Sequence, residues 1–124
     1  AVKVIAGMKL KYLSCTRAQR PFLLQGTGLL EIPGNIPCLE ETGNYAAILS
    51  AAREAGGGVI TLHAEVEGGP AVERFMPELI TPLLAEGARV VTLGEMKRKL
   101  SKGDFEERPF ELKRLPGRAE VCAV

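Results

Sequence analysis

Apolar residues recur along this chain in short runs whose spacing changes, and the changes mark out its elements. Lys9-Leu10-Lys11-Tyr12-Leu13 alternates with period two, as a half-buried strand does, and ahead of it Val4 to Met8 reads as the end of a helix stopped by Gly7. Cys15 to Phe22 is polar and closes on Arg20-Pro21; a proline disfavours helix for the residue before it, so this stretch predicts a loop carrying two cations, Arg17 and Arg20. Leu29 to Ile32 is a short strand, and Pro33 to Pro37 is its turn-rich exit. From Asn44 to Ala55 the spacing becomes helical: Ile48, Leu49 and Ala52 form an apolar stripe, Asn44 can cap the first turn, and Gly56-Gly57-Gly58 stops it. Val59 to Leu62 is a β-favouring run that ends on His63, the only histidine of the chain, with Glu65 and Glu67 at alternating positions behind it. Phe75, Leu79 and Leu83 return to spacing four, in a helix that starts or bends at Pro77 and is closed by Gly87. Arg89 to Leu93 predicts a further parallel-type strand and Glu95 to Leu100 a last helix stopped by Gly103. Beyond Lys102 no period survives, which predicts a loosely packed tail over 103–124 after a domain over 1–102.

Strands alternating with helices describe an α/β protein with mostly parallel strands, and the four or five strands expected are too few for the usual eight-stranded barrel. The 124 residues suffice for one real core. A net charge of +1 and a pI near 7.9 give no reason to expect nucleic acid as a partner. No run of about 18 apolar residues is present, and the first residues do not have the layout of a signal peptide. Three cysteines, Cys15, Cys38 and Cys122, are widely spaced, with no Cys-x-x-Cys, which argues against a disulfide framework and points to a reducing compartment.

His63 stands at the carboxyl end of an apolar strand, the position where α/β sheets keep their chemistry. In an extended chain Glu65 and Glu67 share its parity, so that all three side chains point one way: a carboxylate can orient the imidazole or a sugar hydroxyl, the three can bind a metal, or the two acids are solvated groups at the start of a loop. Arg17 and Arg20 suit a phosphate, whose oxygens a guanidinium grips in a fork. Cys15 or Cys38 as nucleophile lacks a base in this reading, and Cys15 reads instead as a small buried residue.

Ile60-Thr61-Leu62-His63-Ala64-Glu65-Val66-Glu67-Gly68 resembles the last motif of the NodB-type polysaccharide deacetylases, in the form found in deformylases of undecaprenyl-phosphate-linked formamido-arabinose. Three stretches resemble the same family in the same order: Arg17 to Phe22 its arginine loop, Glu31-Ile32-Pro33 with Pro37 and Glu41 its strand exit, and Val91 to Glu95 the strand and helix start that close its barrel. Cys15, Ala18 and Asn35 depart from the pattern, and the family's Asp-Asp pair and His-x-x-x-His have no counterpart.

The resemblance implies a partial NodB-like (β/α) barrel: the carboxyl-terminal half of such an enzyme, cut, split or decayed. It implies a metal-dependent deacetylase or deformylase that removes an N-acyl group from a lipid-linked amino sugar. His63 would be the general acid, and Arg17, Glu65 and Glu67 would meet the substrate. The divalent, zinc-like metal belongs to the complete enzyme and no metal ligand to this chain. The expected partners are the missing amino-terminal half or a second copy of the chain, in the cytoplasm or peripherally at the inner face of the cell membrane. The isolated chain is expected to be inactive and oligomeric. The alternative is a non-catalytic α/β interaction module that packs on itself or a partner.

Overall fold

Pro21 holds its neighbourhood extended, and Phe22–Leu24 follow it as strand β1 of a computed structural model that describes residues 2–124. A four-residue turn returns the chain as β2, Leu29–Glu31, antiparallel to β1 with Leu23 opposite Leu30. On the other side of β1 lies β3, Glu107–Arg108, parallel to it, giving the order β2-β1-β3. The outer edge of β2 is met by Leu13 alone, which donates to the carbonyl of Leu30 and accepts from the N–H of Ile32, both at 2.9 Å. The Lys9 to Leu13 alternation thus yields one bridge rather than a strand. A second sheet is the hairpin of β4, Leu112–Arg114, and β5, Val121–Ala123.

These sheets belong to unit 1 of two compact units, formed by Ala1–Asn35, Val91–Leu115 and Ala119–Val124. Its core gathers Ala18, Phe22 and Leu24 with Leu13 and Phe110. Phe22 meets Phe110 edge to face at 6.3 Å, and the Arg108 guanidinium lies 3.8 Å over the Phe22 ring. Glu31 is fully buried, and its Oε1 accepts from the N–H groups of Cys15 (2.9 Å) and Thr16 (2.8 Å) and from Thr16 Oγ1 (2.9 Å). A buried carboxylate requires such donors, so Glu31 pins the loop expected between Cys15 and Pro21. The unit also holds helix α1, Val2–Gly7, and helix α6, Leu93–Leu100. Thr92 caps α6 in a box with Glu95, which takes Val91 to Leu93 out of the predicted strand.

Unit 2, Ile36–Val90 with Pro116–Arg118, is helical. Short α2, Leu39–Thr42, leads into α3, Tyr45–Ala55, which starts on Asn44, whose Oδ1 accepts the Ala47 N–H at 2.8 Å, and stops at Gly56. After α4, Ala64–Glu67, a π-helical turn over Met76–Ile80 runs into α5, Thr81–Ala85. Pro82 has no N–H for the carbonyl four residues back. The turn ahead of it is widened, with Thr81 N–H reaching Met76 O, and it begins at Met76 with Pro77 in its first turn, the start expected there. Ile36, Tyr45, Ile48, Leu49, Ala52, Ala71 and Leu79 form the core, with Val66, Phe75 and Leu83 packed against it.

The protein is mixed α/β with small sheets, and no closed barrel forms among the described residues. Two ladders are antiparallel and one is parallel, in place of the mostly parallel pairing expected. The reason is that short turns, such as that between β1 and β2, return the chain alongside itself where crossover helices were expected. Beyond Lys102, where the sequence shows no period, the chain contributes β3, β4 and β5. The segment Val59 to Leu62 forms only one parallel bridge, Ile36 with Ile60.

Candidate functional site

That single bridge builds the site. Ile36 donates its N–H to Val59 O at 3.3 Å, which sets two segments of unit 2 side by side. Two residues after Ile36 comes Cys38, extended (φ −95°, ψ 174°) and capping α2; three residues after Ile60 comes His63, extended (φ −104°, ψ 125°) and capping α4. Glu40, in the first turn of α2, brings Oε2 to 3.7 Å from His63 Nδ1. Cys38 Sγ, a Glu40 carboxylate oxygen and a His63 ring nitrogen lie within 4.8 Å of one another.

Two further carboxylates fasten the backbone of this cluster. Glu41 Oε2 accepts the Cys38 N–H at 2.9 Å, and Glu67 Oε2 accepts the His63 N–H at 2.8 Å. Glu67 is buried, and its other oxygen accepts from Tyr45 Oη at 3.1 Å. Burial, and then the Glu67 carboxylate, push the Tyr45 hydroxyl up to about 12, so it stays a donor.

Arg118 supplies the positive charge. Its Nε donates to Glu41 Oε1 at 2.8 Å, its Nη2 donates to Cys38 Sγ at 3.5 Å, and Nη1 stands 3.9 Å from Glu40 Oε2. Gly117 allows this approach: its φ is +77°, and a Cβ there would meet Glu41 O at 3.0 Å. Cys38 is fully buried, whereas the His63 and Glu40 side chains are 29% and 45% exposed, so the imidazole and one carboxylate are open to a ligand.

His63 therefore sits at the end of an extended segment, as the sequence implied. Glu65 and Glu67 do not share its parity, because the chain turns helical at Ala64: Glu67 swings into the core, Glu65 is exposed, and the carboxylate facing the imidazole belongs to Glu40. Arg17 lies in unit 1, half-buried, with its N–H on Ala123 O at 2.8 Å; Arg20 is exposed. Cys15 is exposed rather than buried, yet partial desolvation and the nearby Glu31 push its thiol up to about 11, opposite to what a nucleophile needs. Cys38, for which the sequence offers no base, has the imidazole beside it. Glu40 and Arg118 escape the sequence, as does the link of Cys38 to His63, because they share no local pattern with that histidine: the pairing of residues 36 and 60 brings Cys38 and Glu40 to it, and Glu41 holds Arg118.

The donor set of one thiol, one imidazole and one carboxylate is a chemistry that suits a zinc-class ion. Comparison with family models, with curated proteins and with solved structures finds no match to this chain.

Proposed function

We propose that this chain carries the proton-donor side of a deacetylase or deformylase that removes an N-acyl group from an amino sugar. The observation that carries this reading is the pair of His63 and Glu40 at 3.7 Å, with the imidazole partly open to solvent. Amide hydrolysis needs a nucleophilic water, a stabilised oxyanion and a proton for the departing amine, which leaves poorly unless protonated. An imidazole can deliver that proton at neutral pH, and a facing carboxylate orients the ring for the transfer. The nucleophilic water and its metal would be handled by residues outside this chain, since it holds one histidine and no Asp-Asp pair.

The test is turnover of an N-formyl or N-acetyl amino sugar by the full-length protein. His63→Gln is expected to lower kcat by ~10²–10⁴ with unfolding stability retained, and Glu40→Gln by a smaller factor. Undiminished turnover in His63→Gln sinks the role.

A second reading, a non-catalytic module that packs on itself or a partner, is favoured by the β4–β5 hairpin, where Leu112 and Val121 are 73% and 54% exposed. The turnover assay separates the two, since deacylase turnover of the full-length protein that His63→Gln lowers excludes a non-catalytic module, and light scattering shows whether the exposed hairpin pairs with a second copy.

A further inference from the structure

We infer that Cys38, Glu40 and His63 form a binding site for a zinc-class divalent cation, and that Arg118 is the charge this cation must displace. The three side chains offer sulfur, oxygen and nitrogen, and the three donor atoms already lie within 4.8 Å of one another. Zinc bonds of about 2.0–2.3 Å in a tetrahedron put donors roughly 3.5 Å apart. The His63 Nδ1 to Glu40 Oε2 separation of 3.7 Å is close to that, and with all three donors within 4.8 Å of one another closure asks for shifts of about 1 Å. Three protein donors leave the fourth position for water or another ligand.

The surroundings support a built site. The backbones that carry Cys38 and His63 are tied by the Ile36–Ile60 bridge, and each N–H is held by a carboxylate, from Glu41 and from Glu67. Fastening of this kind limits the motion of the donors, as the outer partners of known metal ligands do. Arg118 points its guanidinium at two of the three donors while Nε stays on Glu41. A cation entering between Cys38 and Glu40 replaces the Nη contacts, and the Glu41 contact keeps Arg118 nearby. Metal binding also takes the His63 imidazole out of proton transfer, so the metal-bound form and the proton donor proposed above exclude each other.

The probes are Zn²⁺ and Co²⁺, added to the chelator-treated full chain. Metal analysis is expected to show one Zn²⁺ per chain, and Co²⁺ titration a thiolate-to-cobalt charge-transfer band. Cys38→Ser and His63→Gln, each checked for retained fold by circular dichroism, are expected to weaken Zn²⁺ binding by more than the ~10–100-fold that loss of an outer partner costs. Cys15→Ser and Cys122→Ser are expected to leave it unchanged. Arg118→Gln is expected to tighten it by roughly tenfold, because a like charge about 4 Å away is removed. Stoichiometric binding that survives Cys38→Ser and His63→Gln overturns the assignment, as does failure of both the native chain and Arg118→Gln to take up Zn²⁺. Turnover is read in none of these arms, so their failure and that of the proton-donor proposal are separate outcomes.

Discussion

Tyr45 donates its phenolic hydrogen to Glu67 at 3.1 Å inside the core of unit 2, and the second oxygen of that carboxylate holds the N–H of His63. One buried acid thus links the longest helix of the unit to the residue that faces Glu40. A hydrogen bond to a charged group contributes about 1.5–3 kcal/mol. Tyr45→Phe leaves the ring and removes that bond, so it is expected to destabilise the protein by about that amount in denaturant unfolding, with the slope of the transition unchanged. An unshifted midpoint would show that water or another donor replaces the phenol.

Stability should also fall on the alkaline side. The Tyr45 hydroxyl is raised from its ordinary 10 to about 12 by burial and by Glu67, and the Cys15 thiol from 9 to about 11 by desolvation and Glu31. A group whose pKa is raised by folding contributes stability that is fully present below its unfolded value and is lost as pH rises through its folded value. The expected window of loss is therefore pH 9–11 for Cys15 and 10–12 for Tyr45, and Tyr45→Phe should flatten the upper part. Unfolding curves across that range check it. At pH 8, iodoacetamide should label Cys15 roughly tenfold more slowly than an unperturbed thiol, the smaller thiolate fraction being partly offset by the greater nucleophilicity of a higher-pKa thiolate, read by mass spectrometry of the labelled peptide.

Removal of residues 103–124 should unfold unit 1. The segment supplies β3, which pairs with β1, both strands of the β4–β5 hairpin, and Arg108 and Phe110, which cover Phe22. Phe22→Ala, at a side chain 1% exposed, is expected to cost about 3–5 kcal/mol. Amide exchange of the Leu13 and Ile32 N–H groups, whose acceptors Leu30 O and Leu13 O the truncated chain keeps, is the direct measurement; retained protection would show that this part of unit 1 stands without the segment.

If Arg17 meets an anionic part of the substrate, Arg17→Ala should raise KM more for a phosphorylated substrate than for its neutral analogue, since a charge-assisted contact is worth more than a neutral one. Equal effects on the two substrates count against it. Its backbone N–H, bound to Ala123 O, is untouched by the substitution.

The sequence by itself determined the elements whose signals are read by their own backbone. Asn44 caps α3, Ile48, Leu49 and Ala52 line its buried face, and Gly56 ends it, all within one stretch of chain. Leu29 to Glu31 was legible as a strand for the same reason. Thr92 and Glu95 are a capping box written in the sequence, but the apolar run from Val90 to Leu93 carries a β signal that hides it. The tertiary structure alone decided the rest, because pairing depends on a partner that no local window contains. Glu107 and Arg108 have no apolar alternation and become a strand only because β1 offers its edge. His63 was marked by being the single histidine, yet the extended run before it pairs at Ile60 alone, and the chain then turns helical, which sends Glu67 inward and leaves Glu40 to face the ring. Cys38 with Glu40, His63 and Arg118 lie in three separate stretches of the chain. They converge because the Ile36–Ile60 bridge brings two segments together and Glu41 draws in a third, a non-local arrangement that the spacing of residues in a sequence does not encode.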